Sequence, residues 1–156
     1  MPNWTTPLLN LLPALFIAAF TSWLTVRLSL RRFHAERWWE RKADSYSRIV
    51  EALIHLMEYC SAMSDESSAG RELPETRRKE LSDNFDMAYR DLRKATAIGA
   101  YIISDEVAAV LTRLQMRPTR NWQENPPWEI YDDDYKAYHD ALGELRRLAK
   151  KDLRVS

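Results

Sequence analysis

The chain has 156 residues, of which 46% are hydrophobic and 29% charged, and its 23 basic residues balance its 23 acidic ones. A formal charge of zero argues against a general nucleic-acid binder, because such proteins are usually basic. The single cysteine, Cys60, excludes an intramolecular disulfide and any zinc site built on cysteine pairs. The length fits one domain of ordinary size together with a short additional segment.

The first 26 residues carry no charged side chain. Residues 8–26 form a mostly apolar run that, as an α-helix, reaches about 28 Å, close to the hydrocarbon thickness of a bilayer. This run predicts one transmembrane helix over residues 8–28, preceded by an extracytoplasmic tail over residues 1–7. The alternatives are a buried helix of a soluble protein and a cleaved signal peptide, which would carry its positive charge before the apolar run.

The charges that flank the run predict its direction in the membrane. Basic residues that flank a membrane span remain on the cytoplasmic side, and here every flanking basic residue follows the run. They are Arg27, Arg31, Arg32, Arg37, Arg41 and Lys42. We therefore expect a single-pass protein of the plasma (bacterial inner) membrane, with its N-terminus outside and residues 29–156 in the cytoplasm.

The helix is expected to continue beyond the membrane, because no glycine or proline interrupts residues 15–69. Two adjacent apolar stripes with alternating steps of three and four residues predict a bundle core. One stripe is Trp39, Ala43, Tyr46, Val50, Leu53, Met57 and Cys60, and the other is Ile49, Ala52, Leu56, Tyr59 and Met63. The predicted fold is all-α, with the transmembrane helix continuing to about Met63 and into a cytoplasmic antiparallel helical bundle.

Three further helices complete the predicted bundle. After a loop over residues 64–74, a helix over residues 75–97 should place Phe85 and Leu92 against the first helix. Ser104 is the expected N-cap of a short third helix. The last helix should begin near residues 128–132, where the acidic residues 132–134 complement the helix dipole and need no metal. We predict no metal and no cofactor.

The juxtamembrane helix carries acidic and basic columns side by side. Glu36, Glu40 and Asp44 form the acidic column, and Arg37 and Arg41 the basic one. These columns predict pairing between copies of the chain in a homo-oligomer, and the alternative is a solvated helix face whose arginines contact lipid phosphates. The expected oligomer and membrane interface comprises Arg31, Arg32, Glu36, Arg37, Trp38, Glu40 and Arg41.

One short motif carries possible chemistry. Arg48 and His55 enclose six residues, R-IVEALI-H. The motif resembles the R-x(4–6)-H signature of HEPN domains, an all-helical family that includes many RNases of bacterial defence. The resemblance implies that Arg48 and His55 act on an RNA phosphodiester at a dimer interface. The next residue is Ile49, where catalytic members usually carry a polar side chain.

The layout of one span followed by a small HEPN-like domain resembles the membrane accessory protein of some type VI CRISPR systems. It is also similar to small single-pass bacterial membrane proteins with a helical cytoplasmic domain. The expected function is non-enzymatic: a scaffold, pore-forming or effector subunit, in bacterial defence, acting through oligomerisation. The alternatives are an RNase using Arg48 and His55, and a tethered module that binds a soluble protein through the loop that carries Trp122.

Overall fold

The computed structural model describes residues 5–70, 72–99, 101–118 and 120–153, with backbone alone for residues 5–18, 31, 32, 34, 35, 98 and 99. It contains α1 (Thr5–Ala69), α2 (Glu75–Gly99), α3 (Asp105–Gln115) and α4 (Pro127–Leu153). The described residues form no strand, so the prediction of an all-α fold is confirmed. The chain divides into two compact units, Met1–Glu40 and Arg41–Ser156.

The first unit is the N-terminal part of α1, and its described side chains are exposed. Trp39 is 49% exposed, so the prediction that it belongs to the core is wrong, and the buried part of its stripe begins at Tyr46. Among the described residues, no helix is both long and apolar enough to cross a membrane. The side chains of residues 8–18, in the predicted span, lie outside the described residues.

The core of the second unit forms where the two apolar stripes of α1 meet the other helices. Leu53 and Leu56 are completely buried, and Ile49 and Cys60 nearly so. Burying one large aliphatic side chain contributes about 1.5–3 kcal/mol, so these stripes are the main source of stability on α1. The predicted stripes are therefore confirmed from Tyr46 to Met63.

The helices of the second unit pack antiparallel to their neighbours. The rings of Tyr59 and Phe85 lie 4.5 Å apart near the connection between α1 and α2, which therefore form a hairpin. The part of α1 that begins the second unit meets the end of α4, and the start of α3 also meets the end of α4. The pairs that fix these directions are Lys42–Asp152 (2.6 Å), Ser64–Trp128 (3.4 Å), Glu106–Lys151 (3.0 Å) and Arg113–Glu144 (3.3 Å).

The helix ends show which local signals decide them. α1 continues to Ala69, so the predicted start of the loop at residue 64 is wrong, and residues 64–69 are helical. Polar residues such as Ser67, whose hydroxyl donates to the carbonyl of Met63 (2.6 Å), are compatible with a helix. The helix stops at Gly70, which has φ +61°, a left-handed conformation that glycine adopts without strain. Ser104 is confirmed as the N-cap of α3, and its side chain accepts from the Val107 amide.

Candidate functional site

A groove runs along the exposed side of α1 and α2. Two recesses of about 280 and 180 Å³ adjoin in it, and both are lined by Arg48 of α1 and Asp91 of α2. The first recess has an apolar floor that includes Ile49 and Ile103. His55 lines the second recess together with Arg48. The spacing of seven residues therefore brings the two candidate catalytic side chains to one groove.

The charges in this groove define what its chemistry allows. The Arg48 side chain is 74% exposed, and its Nε lies 3.0 Å from a carboxylate oxygen of Asp44. Nδ1 of His55 lies 3.3 Å from a carboxylate oxygen of Glu58. An arginine and a histidine so placed can bind an anion and transfer a proton. However, Glu51 and Asp91 line the same recess. Asp91 pairs with Lys94 of the adjoining recess (3.6 Å), whereas the Glu51 carboxylate opposes the binding of a polyanion such as RNA.

The predicted oligomer and membrane interface lies on an exposed part of α1. The side chains of Arg31 and Arg32 lie outside the described residues. The other members are exposed: Glu36, Arg37, Trp38, Glu40 and Arg41. The guanidinium of Arg37 lies 4.9 Å from the ring centroid of Phe33, within cation–π distance. Within the described part of the chain, Glu40 and Arg41 form no ion pair, so both charges are available to a partner.

The loop that carries Trp122 is attached to the bundle. The Trp122 side chain is 52% exposed, and its ring meets that of Tyr131 edge to face at 5.4 Å. Tyr131 in turn meets Tyr59 of α1 at 6.1 Å. Burial raises the pKa of Tyr131 to about 12, so this phenol stays neutral. Trp122 thus offers half of its indole to a partner and uses the rest for packing.

The acidic triplet of α4 neutralises cations of its own chain. Each carboxylate pairs with a basic side chain: Asp132 with Lys136 (2.5 Å), Asp133 with Arg120 (2.5 Å) and Asp134 with Arg117 (2.9 Å). Two of these pairs hold Arg117 and Arg120 against α4, a role beyond the predicted complement to the helix dipole. Burial raises the pKa of Asp134, which Arg117 partly opposes. Among the described residues, no group of three or more potential ligands is placed to hold a metal ion.

Cys60 is a packing residue. It lies buried on the α1 stripe, and burial raises the pKa of its thiol to about 12. Because the thiolate is the nucleophilic form, a thiol with this pKa is unreactive near neutral pH.

A polar cluster that sequence patterns do not reveal joins three helices. Asp152 near the end of α4 accepts hydrogen bonds from Lys42 (2.6 Å) and from the hydroxyl of Tyr46, both on α1. The Tyr46 oxygen accepts from the backbone amide of Ser104, the N-cap of α3 (3.3 Å). Lys42 and Asp152 are 110 residues apart, and neither belongs to a local motif.

Comparison of the chain with family models, curated proteins and solved structures finds no match. The likeness to HEPN domains therefore rests on Arg48, His55 and the layout of the chain, and the function is argued from its own residues.

Proposed function

We propose that this chain is a single-pass membrane protein whose helical unit is a scaffold or effector subunit acting through self-association. One observation carries the proposal. Among the described side chains of residues 19–40, nine large hydrophobic ones are exposed: Phe20, Trp23, Leu24, Val26, Leu28, Leu30, Phe33, Trp38 and Trp39. Soluble monomers rarely expose so many large apolar side chains on one helical segment, so we infer that a bilayer or other copies cover them.

A bilayer is the proposed cover for residues 8–28. The first 26 residues are uncharged, and six basic residues follow within the next 16. The guanidinium of Arg27 lies 5.1 Å from the ring centroid of Trp23, a pairing suited to the headgroup region, where indoles are enriched. The N-terminus then lies outside a bacterial inner membrane and the helical unit lies in the cytoplasm. Release of the protein from membranes by carbonate extraction would overturn this part of the proposal.

Other copies of the chain are the proposed cover for the helix that follows. Trp38 and Trp39 are half exposed, and tryptophan is among the residues that contribute most to interfaces. Glu40 and Arg41 form no ion pair within the described residues. Neighbouring copies that leave the membrane in parallel can set the acidic column of one α1 against the basic column of the next. A pore is one form of such an assembly, which ion flux across liposomes would reveal.

The test is the mass of the full-length protein in nanodiscs or mild detergent. Wild type should form one discrete oligomer. Arg37→Glu with Arg41→Glu should reduce its size. Adding Glu36→Arg with Glu40→Arg should restore it, because the columns are then exchanged except at Asp44, which pairs with Arg48. The matched control, Arg146→Glu with Arg147→Glu, makes the same charge change on exposed positions of α4.

Oligomers of the same size in all variants would refute the proposed pairing between the columns of neighbouring copies. A wild-type monomer would instead favour a tethered module that binds a soluble protein through the loop with Trp122.

An RNase of the HEPN kind is the second candidate function, favoured by the placement of Arg48 and His55 in one recess. Purified protein should then cleave single-stranded RNA, and His55→Ala should abolish the cleavage. His139→Ala is the matched control, because that histidine is exposed on α4. A wild-type protein without RNA cleavage would remove this candidate.

A further inference from the structure

The outward face of α2 carries two successive negative charges followed by two successive positive charges, with Lys79 one turn before them. Asp83 and Asp86 are followed by Arg90 and Arg93, and all four side chains are exposed. Steps of three and four residues place them on one side of the helix. The opposite side carries Leu81, Ala88 and Leu92, which are buried in the core.

Pairing within the helix accounts for little of this order, because Asp86 and Arg90 have the favourable spacing of four residues but form no ion pair within the described residues. Residues three apart on a helix are neighbours, so Asp83 meets Asp86 and Arg90 meets Arg93, and like charges at this spacing destabilise a helix. Within the described residues, Asp83, Asp86 and Arg93 form no ion pair, and Nε of Arg90 donates to the Asp86 backbone carbonyl (3.0 Å). Other charges of α2 do pair at this spacing, such as Arg77 with Glu80 (2.9 Å).

The helix dipole does not account for the order either. The dipole acts within the first and last turns, where acids favour the N-terminus and bases the C-terminus. α2 begins at Glu75 and ends at Gly99. Asp83 and Asp86 therefore lie more than two turns from its start, and Arg90 lies more than two turns from its end.

We propose that α2 pairs in antiparallel orientation with α2 of a second copy of this chain. Residue 88 is the midpoint between positions 83 and 93, and it is also the midpoint between positions 86 and 90. A two-fold axis at that level sets Asp83 against Arg93 of the second copy and Asp86 against its Arg90, each pair occurring twice. Parallel pairing would set aspartate against aspartate. The second copy is therefore the occupant whose charges complement this face.

An apolar side chain lies beside the proposed axis. Met87 is 54% exposed and adjoins residue 88, so the two copies of its flexible thioether can pack across the axis. One helix face buries less area than the roughly 1,600 Å² of a stable interface, and exposed ion pairs are individually weak. The contact is therefore weak and needs a high protein concentration. It goes beyond the proposed membrane assembly, because copies whose α1 helices run in parallel also hold their α2 helices parallel to one another.

Disulfide crosslinking of the full-length chain in detergent tests the geometry. The native cysteine is buried, so cysteines introduced at exposed positions report the contact. Lys79→Cys and Ala97→Cys lie on the proposed face, and 79 and 97 share the midpoint 88. Mixing the two single variants at high concentration and oxidising should yield chiefly the mixed 79–97 crosslink. Crosslinks of 79 to 79 and 97 to 97, or none at all, would overturn the proposal.

Charge exchange tests the cause of the pairing, with the 79–97 crosslink rate as the readout. Asp83→Arg with Asp86→Arg makes the face wholly positive and should slow crosslinking at least about tenfold, because like charges then meet. Adding Arg90→Asp and Arg93→Asp reverses both pairs of charges, keeps the composition and should restore the rate. Equal helicity by circular dichroism confirms that each variant folds. A reversed variant as slow as the wholly positive one would refute the inference.

The two proposed contacts are separable. In a chain that also carries Arg37→Glu and Arg41→Glu, the α1 contact should fail while the 79–97 crosslink persists at high protein concentration. If the 79–97 crosslink is lost while the α1 assembly stays intact, only the proposed α2 contact is refuted.

Discussion

Replacing Asp152 with asparagine should weaken the attachment of α4 to the rest of the bundle. The Asp152 carboxylate accepts from Lys42 (2.6 Å) and from the Tyr46 hydroxyl. The Tyr46 oxygen also accepts a hydrogen bond from the backbone amide of Ser104 (3.3 Å). Through Tyr46, one carboxylate therefore connects α4, α1 and the start of α3. Asparagine keeps an acceptor of similar shape but loses the negative charge, which isolates the electrostatic part of the interaction.

The expected loss follows from the partial burial of the pair. The Lys42 and Asp152 side chains are 19% and 20% exposed, so solvent screens the pair only in part. Fully exposed ion pairs contribute about 0.2–1 kcal/mol, and hydrogen bonds to charged groups about 1.5–3 kcal/mol. We expect Asp152→Asn to reduce the free energy of unfolding by about 1–2 kcal/mol, and Asp152→Ala by about 2–3 kcal/mol because Tyr46 then also loses its acceptor.

The same carboxylate gives the stability a defined pH dependence. Desolvation raises the pKa of Asp152, but the hydrogen bonds from Lys42 and Tyr46 outweigh it, so the net pKa lies below the ordinary value. Because the folded pKa is lower than the unfolded value of about 3.9, the carboxylate stabilises the fold at neutral pH. This contribution is lost as the pH falls below about 4 and through the folded pKa. Asp152→Asn should lack this part of the acid sensitivity.

Urea unfolding of the full-length chain in a fixed concentration of mild detergent, followed by far-ultraviolet circular dichroism, measures the effect. Asp140→Asn is the matched control, because that aspartate lies on the same helix with its side chain 86% exposed. A cycle with Lys42→Gln should show a coupling of about 1 kcal/mol. The reasoning is refuted if Asp152→Asn is as stable as Asp140→Asn at neutral pH.

Three further predictions concern single residues. Gly143→Ala should stabilise α4 by about 0.5–1 kcal/mol, since a methyl group there meets no atom within 4 Å, whereas Gly70→Ala, at φ +61°, should cost about 1 kcal/mol in the same urea assay. Cys60 should resist iodoacetamide in the folded protein at about pH 8 and react once urea unfolds it. Arg117→Ala should speed tryptic cleavage after Arg120, because Asp134 and the backbone of Asp133 lose their cation.

Each of these predictions has a contrary outcome. Equal shifts at the two glycines would show that local backbone preference does not control stability at these positions. Alkylation of Cys60 before unfolding would mean that the α1 stripe opens readily. Unchanged cleavage in Arg117→Ala, measured beside Lys136→Ala, would mean that the ion pairs of Arg120 and packing hold the loop without Arg117.

Helical periodicity predicted the core of the second unit because burial there follows directly from spacing. Leu53 and Leu56 belong to stripes that recur every three or four residues, and such stripes must be buried. Trp39 fits the same spacing but is half exposed. The spacing shows that an apolar face needs a cover but carries no information about which cover is used, so it could not separate Trp39 from Leu53.

The candidate site was predictable only where its residues share one helix. Arg48 and His55 are seven residues apart, so their common face follows from the helix geometry. Their groove also needs Asp91 of α2, and the cluster of Asp152 needs residues of α1, so these contacts depend on how helices pack. Charged residues on different helices have no sequence spacing that reports their distance.

The charge patterns of α1 and α2 favour contacts of different symmetry. On α1, acidic and basic columns lie side by side, which suits copies whose helices run in parallel, as the proposed anchors in one bilayer would require. On α2, the negative and positive pairs of charges follow each other along the helix, which suits antiparallel copies. An anchor raises the effective concentration of parallel contacts but does not promote antiparallel ones. Deleting residues 1–28 should therefore weaken the α1 contact, while the 79–97 crosslink should keep its pattern at high protein concentration.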